Sequence, residues 1–267
     1  MHLRLDEGSG PVVVLLHGQP GVASDWGRVV PLLRGRGVRV LSVDRPGYGA
    51  ATGAATGWAD NAEQLLALLD RLAVEHAVLV GWSWAGGVAL RAALDAPARV
   101  RGLVLVASVG HRTAVAAGDR LLALPPVRRL TPGLMRRVSR WTPLVVGRST
   151  TRLDDGGRAY FGDESRSWAA RGVWQAVAAE QAALVRDTPA LSDALGRVAA
   201  PAVVLQGWRD TTVAPRAGVA LAAALPDARL VALDAGHLVP FEQPEAVVSA
   251  ITSLAFAPDA RAARPPA

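Results

Sequence analysis

The strongest chemical signal in the sequence is a serine held between small residues, in the string Gly81-Trp82-Ser83-Trp84-Ala85. This string follows an apolar run and precedes a helical pattern. A serine on a strained turn between a strand and a helix presents its hydroxyl as a nucleophile, and the positions two before and two after it must be small. Gly81 and Ala85 meet that need, although alanine stands where a second glycine is usual. The string therefore predicts Ser83 as a nucleophile.

Two later loops carry the partners that a serine nucleophile requires. Asp210 follows the apolar run 202–206, and His237 follows the run 229–233. A serine hydroxyl is a weak nucleophile until an imidazole accepts its proton, and a carboxylate must hold that imidazole in the right tautomer. The order serine, aspartate, histidine, each on a loop after a strand, predicts a catalytic triad of Ser83, Asp210 and His237.

Two other aspartates are rivals for the acid of this triad. Asp44 also follows an apolar run, but it precedes the serine string and is expected to stabilise its own turn. Asp234 lies too close in sequence to His237 to reach its ring easily. Asp210 therefore remains the predicted acid.

A glycine- and proline-containing loop, His-Gly-Gln-Pro-Gly, directly follows the first apolar run at 12–16. An oxyanion hole needs two backbone N–H groups aimed at one point. Trp84, the residue after the nucleophile, supplies one of them. Because Pro20 has no N–H, Gln19 is the predicted second donor. His17 is expected to brace the loop.

The elements that must position these residues alternate between strands and helices. Apolar, β-branched runs predict strands at 12–16, 38–43, 77–80, 102–107, 202–206 and 229–233, with a further edge strand near residues 2–5. Helical patterns occur at 26–34, 59–74, 83–96, 216–224 and 244–254. This alternation predicts an α/β fold with a parallel sheet, whose nearly continuous apolar strands are buried on both faces.

The alternation stops between residues 111 and 198, where several prolines and arginine-rich amphipathic pieces occur. We interpret 111–198 as a helical lid inserted into an α/β core formed by 1–110 and 199–256. Residues 257–267, rich in Ala, Arg and Pro, are expected to be a disordered tail. The arginines of the lid form either a solvated surface or a field that steers anionic substrates.

Composition argues against several other classes of protein. The chain has no cysteine, no cluster with metal-ligand spacing and no Gly-x-Gly-x-x-Gly loop after a strand, so neither metal nor organic cofactor is expected. The net charge of +6 comes from arginines without interleaved stacking aromatics, so no nucleic-acid partner is expected. No apolar run approaches the ~18–20 residues of a membrane helix, and no signal peptide is evident. A cytoplasmic location is expected.

Together, these motifs resemble the α/β-hydrolase superfamily over about residues 10–256. They are the His-Gly-x-Pro-Gly loop, an Asp-x-Pro-Gly-x-Gly turn, the serine string, a Gly-x-x-Asp loop and an Ala-Gly-His loop. The closest resemblance is to the lid-bearing branch of esterases, C–C bond hydrolases, cofactor-free haloperoxidases and epoxide hydrolases. It implies a mostly parallel sheet of about eight strands with one antiparallel edge strand. In relatives with this loop, the peptide bond before the proline is often cis. The resemblance therefore implies that the bond between Gln19 and Pro20 can be cis.

The resemblance leaves the reaction open. Epoxide hydrolases and haloalkane dehalogenases use an aspartate nucleophile, and Ser83 cannot form their alkyl-ester intermediate. Hydrolysis of a small carboxylic ester or lactone is the first expectation. The alternatives are a C–C bond hydrolase of diketone-type substrates, then a proline iminopeptidase-like aminopeptidase, a lyase or a perhydrolase. A small-molecule receptor with a retained triad is the non-enzymatic alternative, because function lies in the pocket and not in the fold.

Tryptophans are the main aromatic supply for a substrate pocket, since the chain has eight Trp but only three Phe and two Tyr. The candidates to line the pocket are Trp26, Trp82, Trp168, Trp174 and Trp208.

Overall fold

The computed structural model describes residues 1–139, 153–160, 168 and 172–258. Its strands are β1 (His2–Gly8), β2 (Val12–Leu16), β3 (Arg39–Asp44), β4 (Ala77–Trp82), β5 (Val100–Val106), β6 (Ala202–Gly207) and β7 (Ala228–Leu233). They form one sheet in the order β1-β3-β2-β4-β5-β6-β7. β1 runs antiparallel to β3, and every other neighbouring pair is parallel. This confirms the predicted mostly parallel sheet with an antiparallel edge strand. The described residues give it seven strands rather than about eight.

The helices follow the predicted alternation. They are α1 (Val29–Leu33), α2 (Trp58–Arg71), α3 (Ala85–Asp95), α4 (Ala117–Ala123), α5 (Pro125–Val138), α6 (Val173–Ala194), α7 (Pro215–Ala224), α8 (Val239–Glu242) and α9 (Pro244–Ala255). The helix predicted at 26–34 is instead divided into a 3₁₀ turn, Ala23–Trp26, and the short α1. The division occurs because the N–H of Gly27 closes the 3₁₀ turn on the carbonyl of Ser24, at 2.9 Å.

The inner strands β2 to β6 are buried on both faces, whereas the edge strands β1 and β7 are partly exposed. Successive side chains of a strand point to opposite sides. In β2, Val14 and Leu16 belong to one core cluster, whereas Val13 and Leu15 belong to the other. Side chains of α2, α3, α6 and α7 complete the first cluster, and side chains of α1 and α9 complete the second. This two-sided burial explains why the strands appear in the sequence as continuous apolar runs.

The segment between β5 and β6 is helical where it is described, with α4 and α5 packed on α6. Helix α5 forms over the predicted amphipathic piece, but Leu134 is 60% exposed and Leu130 is 75% exposed. The half-buried Pro132 lines the groove between α5 and α6, together with the exposed Arg128 and Arg129. No described helix combines the length and apolar character that a membrane span requires. Residues 259–267 of the predicted tail lie outside the described residues.

The contact between α3 and α2 yields a test of this packing. A Cβ atom added to Gly87 would lie 2.1 Å from the ring of Trp58, which is 2% exposed. Overpacking a closed core costs about 1–3 kcal/mol. We expect Gly87→Ala to lower the free energy of unfolding by that amount, measured by urea denaturation. The control is Gly118→Ala on α4, where an added Cβ would meet no atom within 4 Å. Equal stability of both variants would contradict this packing.

Candidate active site

Ser83 lies on a strained turn between β4 and α3. Its φ is 54°, in the left-handed region that a non-glycine residue rarely adopts. The Ser83 N–H donates to the carbonyl of Val106 at 2.9 Å, which ties the turn to the end of β5. A Cβ atom on Gly81 would lie 2.7 Å from the carbonyl oxygen of Ala85. The turn therefore closes only because the residue at position 81 has no side chain.

Ser83, His237 and Asp210 form a continuous hydrogen-bonded chain. The Nε2 atom of His237 lies 3.0 Å from the Oγ atom of Ser83, and its Nδ1 atom lies 2.8 Å from the Oδ2 atom of Asp210. An ionised carboxylate can only accept hydrogen bonds, so the Nδ1 atom of His237 must donate to Asp210. In the neutral ring, the Nε2 atom is then an acceptor. In this arrangement, Nε2 can take the proton of the serine hydroxyl.

The carboxylate of Asp210 is fixed by its own loop. Its Oδ1 atom accepts the backbone N–H groups of Thr212 and Val213, both at 2.8 Å. The side-chain amide of Gln206 donates to its Oδ2 atom at 3.3 Å. Asp210 is only 4% exposed, and these donors satisfy both of its carboxylate oxygens in that buried setting. The carboxylate is therefore held facing the imidazole of His237.

The rival aspartates have other partners. Asp44 accepts the backbone N–H groups of Ala23 and Ala50, both at 2.8 Å, and so stabilises its own turn. Asp234 forms an ion pair with Arg209, and its side chain is 50% exposed. The contacts of the described residues therefore connect His237 to Asp210 rather than to either rival.

Trp82 and a glutamate hold the loop that carries His237. The indole N–H of Trp82 donates to the carbonyl of His237 at 3.1 Å, and the two rings lie 6.0 Å apart between centroids. The N–H of Gly236 donates to the carboxylate of Glu242 at 3.0 Å. These contacts fix the imidazole relative to the strand that carries the serine.

The predicted oxyanion loop packs directly against Ser83. A Cβ atom on Gly18 would lie 3.2 Å from the Cβ atom of Ser83, and the peptide bond between Gln19 and Pro20 is cis. Within the described parts of the chain, the backbone N–H groups of Gln19 and Trp84 make no hydrogen bond. Trp84 occupies the N-cap position of α3, where backbone N–H groups favour negative charge. Both N–H groups therefore remain available to a ligand.

The side chain of Gln19 is engaged elsewhere. Its Nε2 atom donates to the carbonyl of Val177 on α6 at 2.8 Å. The backbone and the side chain of Gln19 therefore have separate roles.

A cavity of about 160 Å³ opens at Ser83. It is lined by Gly18, Gln19, Pro20, Asp25, Trp82, Ser83, Trp168, Thr212, His237 and Leu238. The wall is largely apolar, and the carboxylate of Asp25 is held at its edge by the hydroxyl of Tyr160 at 2.7 Å. A pocket of this kind suits a small substrate that is oriented by few polar groups.

Only two of the five tryptophans expected at the pocket, Trp82 and Trp168, belong to this lining. Trp26 is fully buried behind Trp82, with ring centroids 6.3 Å apart. Trp174 is buried on α6 outside the described lining, and Trp208 is 57% exposed. Trp208 was expected at the pocket because it lies two residues before Asp210, but that closeness in sequence does not bring its indole to the cavity. Its N–H pairs with the carbonyl of Leu233 along β7, so the backbone continues the strand and the indole points into solvent.

The arginines of α5 do not line the cavity among the residues described. Arg128, Arg129, Arg136 and Arg137 are exposed, and Arg140 lies outside the described residues. In the described part of the chain, no group of three His, Asp or Glu side chains could hold a metal ion. The independence from metal and organic cofactors stays a prediction.

Sequence reasoning missed two buried charged residues beside the oxyanion loop, Arg45 and Glu180. They form an ion pair in which both side chains are fully buried. A signal was present in the sequence: Glu180 falls on the same helical stripe as Ala176, Ala183 and Leu184, all of which are buried. A charge on an apolar stripe requires a buried partner, although the sequence does not say which one.

Comparison with known proteins agrees with the fold. The model of the alpha/beta hydrolase family matches residues 13–250. A pimeloyl-[acyl-carrier protein] methyl ester esterase from Nitrosomonas europaea is 45% identical over 101 residues, which are 38% of this chain and 38% of that protein. A 2-hydroxymuconate semialdehyde hydrolase from a Pseudomonas species is 39% identical over 114 residues. These residues cover 39% of this chain and 39% of that protein. The chain thus matches well under two thirds of the length of these relatives.

The chain is also similar over most of its length to the solved structure of a thermophilic esterase from Thermogutta terrifontis. The identity is 25% and the TM-score is 0.75, with 92% of this chain and 90% of that chain covered. Because the family model spans most of the sequence, this chain belongs to the α/β-hydrolase family.

Proposed function

We propose that this protein is a serine hydrolase that cleaves a small carboxylic ester or lactone through an acyl-enzyme on Ser83. The observation that carries the proposal is the hydrogen-bonded chain from Ser83 through His237 to Asp210. Its three members come from loops after three parallel strands, and the nucleophile lies on a left-handed turn that exposes its hydroxyl to the cavity.

In the acylation step, the Oγ atom of Ser83 attacks the ester carbonyl while Nε2 of His237 takes the hydroxyl proton. The negative charge that develops on the carbonyl oxygen is stabilised by the N–H groups of Gln19 and Trp84. Asp210 stabilises the imidazolium that forms. When the C–O bond to the leaving alcohol breaks, His237 gives its proton to that alcohol, and the acyl group remains on Ser83.

In the deacylation step, His237 takes a proton from a water molecule, and the resulting hydroxide attacks the acyl carbonyl. The same two N–H groups stabilise the second tetrahedral intermediate. Collapse of this intermediate returns the proton to Ser83 and releases the carboxylic acid. A lactone follows the same steps, except that the leaving alcohol stays attached to the product.

The size and lining of the cavity support a small acyl group. The cavity holds about 160 Å³, and the side chains of Pro20, Trp82 and Leu238 form apolar walls. The same lining includes Asp25, whose carboxylate accepts a hydrogen bond from the hydroxyl of Tyr160 at 2.7 Å. The similarity to two esterases supports an ester as the substrate.

Cleavage of a C–C bond in a diketone-type substrate is the second candidate function. It is favoured by the 39% identity to a 2-hydroxymuconate semialdehyde hydrolase over 114 residues. A panel of p-nitrophenyl esters, lactones, β-diketones and aminoacyl amides separates these reactions. Turnover of esters and lactones alone would support the first proposal, whereas turnover of diketones alone would overturn it. Binding without turnover of any compound would indicate a receptor.

The first prediction of this proposal concerns the nucleophile. Ser83→Ala removes the attacking oxygen, and loss of a triad serine typically lowers kcat by about 10⁶-fold. We expect p-nitrophenyl ester turnover to vanish while circular dichroism and the melting temperature stay close to wild type. The matched control is Ser249→Ala, at an exposed position of α9, which should hydrolyse normally. Near-normal turnover by folded Ser83→Ala would sink the assignment.

The second prediction concerns the acid. Asp210→Asn replaces the acceptor that fixes the imidazole tautomer, so kcat should fall by about 10⁴-fold. The control is Asp234→Asn, in the loop next to His237, where the carboxylate pairs with Arg209 instead. We expect this control to keep most of the activity in the same kcat assay. If Asp234→Asn were the crippling change, the assignment of the acid would be wrong.

The third prediction separates the backbone of the oxyanion loop from its side chains. Gln19→Ala keeps the backbone N–H, so kcat should fall well under the roughly 10²–10³-fold expected for loss of a whole donor. Gly18→Ala should cost more, because the new Cβ atom would crowd the Cβ atom of Ser83 at 3.2 Å and displace the donor. Steady-state kinetics on one ester measures both. A larger loss for Gln19→Ala would mean that the side chain of Gln19 is needed, either to align its own N–H group through the bond to Val177 or to act on the substrate.

A further inference from the structure

Arg45 is bonded to the oxyanion loop and to α6 at the same time. Its Nε atom donates to the carbonyl of His17 at 3.0 Å, and its Nη2 atom donates to the carbonyl of Gly18 at 2.7 Å. The other edge of the guanidinium pairs with the carboxylate of Glu180 on α6. Both charged side chains are fully buried. One planar group thus connects the two residues before Gln19 to a helix that lies far away in sequence.

Helix α6 also contacts both donor residues directly. The indole N–H of Trp84 donates to the backbone carbonyl of Glu180 at 3.1 Å. The side chain of Gln19 donates to the carbonyl of Val177 at 2.8 Å. The guanidinium of Arg45 lies 4.6 Å from the centre of the Trp84 ring, within the range of a cation–π contact. Both donor residues are therefore held against the same helix.

The remaining partners of the pair complete its hydrogen bonding. The hydroxyl of Tyr48 donates to the Oε2 atom of Glu180 at 2.7 Å. The backbone N–H of Arg45 donates to the Nε2 atom of His17 at 3.0 Å. The Nδ1 atom of His17 donates to the carbonyl of Gly18 at 2.9 Å. Burial and the nearby Arg45 hold the pKa of His17 well below its ordinary value. The ring therefore stays neutral, with one nitrogen donating and the other accepting.

Two opposing effects act on Glu180. Burial raises the pKa of the Glu180 carboxyl above its ordinary value. The guanidinium of Arg45 and the hydroxyl of Tyr48 lower the pKa and so limit the rise. Burial and the Glu180 carboxylate also raise the pKa of Tyr48 well above its ordinary value, so its hydroxyl stays protonated and donates. The network is thus satisfied only when the acid, the guanidinium and the phenol are all present.

We infer that Arg45 and Glu180 are positioning residues that couple the seating of α6 to the alignment of the Gln19 and Trp84 N–H groups. This inference rests on the proposed function, because the two N–H groups matter only when charge develops on a substrate oxygen. Neither residue belongs to the described lining of the cavity. Their effect therefore falls on the stability of the tetrahedral intermediate and not on binding of the ground state.

If Arg45 and Glu180 had a purely structural role, their replacement would affect catalysis differently. Replacing a buried ion pair with apolar residues of similar size is often neutral or stabilising, whereas removal of one partner costs about 3–5 kcal/mol. If the pair served stability alone, an apolar replacement would leave catalysis by the folded protein unchanged. If it positions the oxyanion donors, the folded replacement loses catalysis.

The first experiment uses Glu180→Gln, which keeps the shape of the side chain but removes its charge. We expect kcat for a neutral p-nitrophenyl ester to fall by about 10- to 10²-fold, less than full loss of a donor, with KM unchanged. Inhibition by a trifluoromethyl ketone, whose adduct with Ser83 carries an oxyanion, should weaken by a similar factor. The control is Asp187→Asn on the same helix, where the carboxylate pairs with Arg186 at 2.7 Å. It should leave kcat, KM and inhibition unchanged.

The second experiment guards against failure of Glu180→Gln to fold. The double variant Arg45→Met with Glu180→Leu removes both charges, and its unfolding midpoint is measured alongside kcat and inhibitor affinity. A folded double variant with kcat and trifluoromethyl ketone affinity reduced together supports the inference. A folded double variant with wild-type values for both overturns it, as does a rise in KM with kcat unchanged.

The wild-type protein separates this inference from the proposed function. If wild type hydrolyses esters and Ser83→Ala does not, but the double variant is fully active, then only the coupling through Arg45 and Glu180 fails. If wild type shows no turnover that depends on Ser83, the proposed function fails, and the coupling is overturned with it.

Discussion

The backbone contact beneath Ser83 is the constraint on which the rest of the site depends. β4 and α3 approach so closely that a Cβ atom on Gly81 would lie 2.8 Å from the Cα atom of Gly86. That approach forces Ser83 to a φ of 54°, a conformation that costs about 1–3 kcal/mol and persists only when its surroundings fix it. Here the fixing comes from β5, which accepts the Ser83 N–H. Once the serine is held, β6 and β7 need only carry an acid and a base to the same edge of the sheet.

The parts of the fold that were predictable are those encoded by neighbouring residues. β1 extends three residues beyond the predicted edge strand, but the bounds of the other strands lie within two residues of those predicted. Burial on both faces makes the inner strands continuous apolar runs, which are easy to locate in the sequence. Ser83, Asp210 and His237 lie on the turns after β4, β6 and β7, where hydrogen bonds join them. Their catalytic roles stay a prediction. The lining of the pocket was less predictable. Trp168 reaches the cavity from a distant segment, whereas Trp208 points into solvent.

The buried charges illustrate the limit of sequence reasoning most clearly. Arg45 is the second residue of the Asp-x-Pro-Gly-x-Gly turn, which the sequence reveals. Glu180 is a charged residue on an otherwise apolar helical stripe. Their pairing depends on where α6 lies relative to the turn after β3, which no local pattern specifies. A buried charge without a partner is costly, so the position of α6 and the position of Arg45 constrain each other. Such long-range constraints appear only in the folded chain.

The position of α6 gives the site an asymmetry. The predicted acid and base, Asp210 and His237, are held by contacts within the α/β core, such as that between Gln206 and Asp210. The predicted oxyanion donors, Gln19 and Trp84, are held partly by α6. The hydrogen-bonded chain from Ser83 to Asp210 and the predicted donors are thus supported by different elements. We therefore expect changes in α6 to move the predicted donors first, while the hydrogen bonds among Ser83, His237 and Asp210 stay intact.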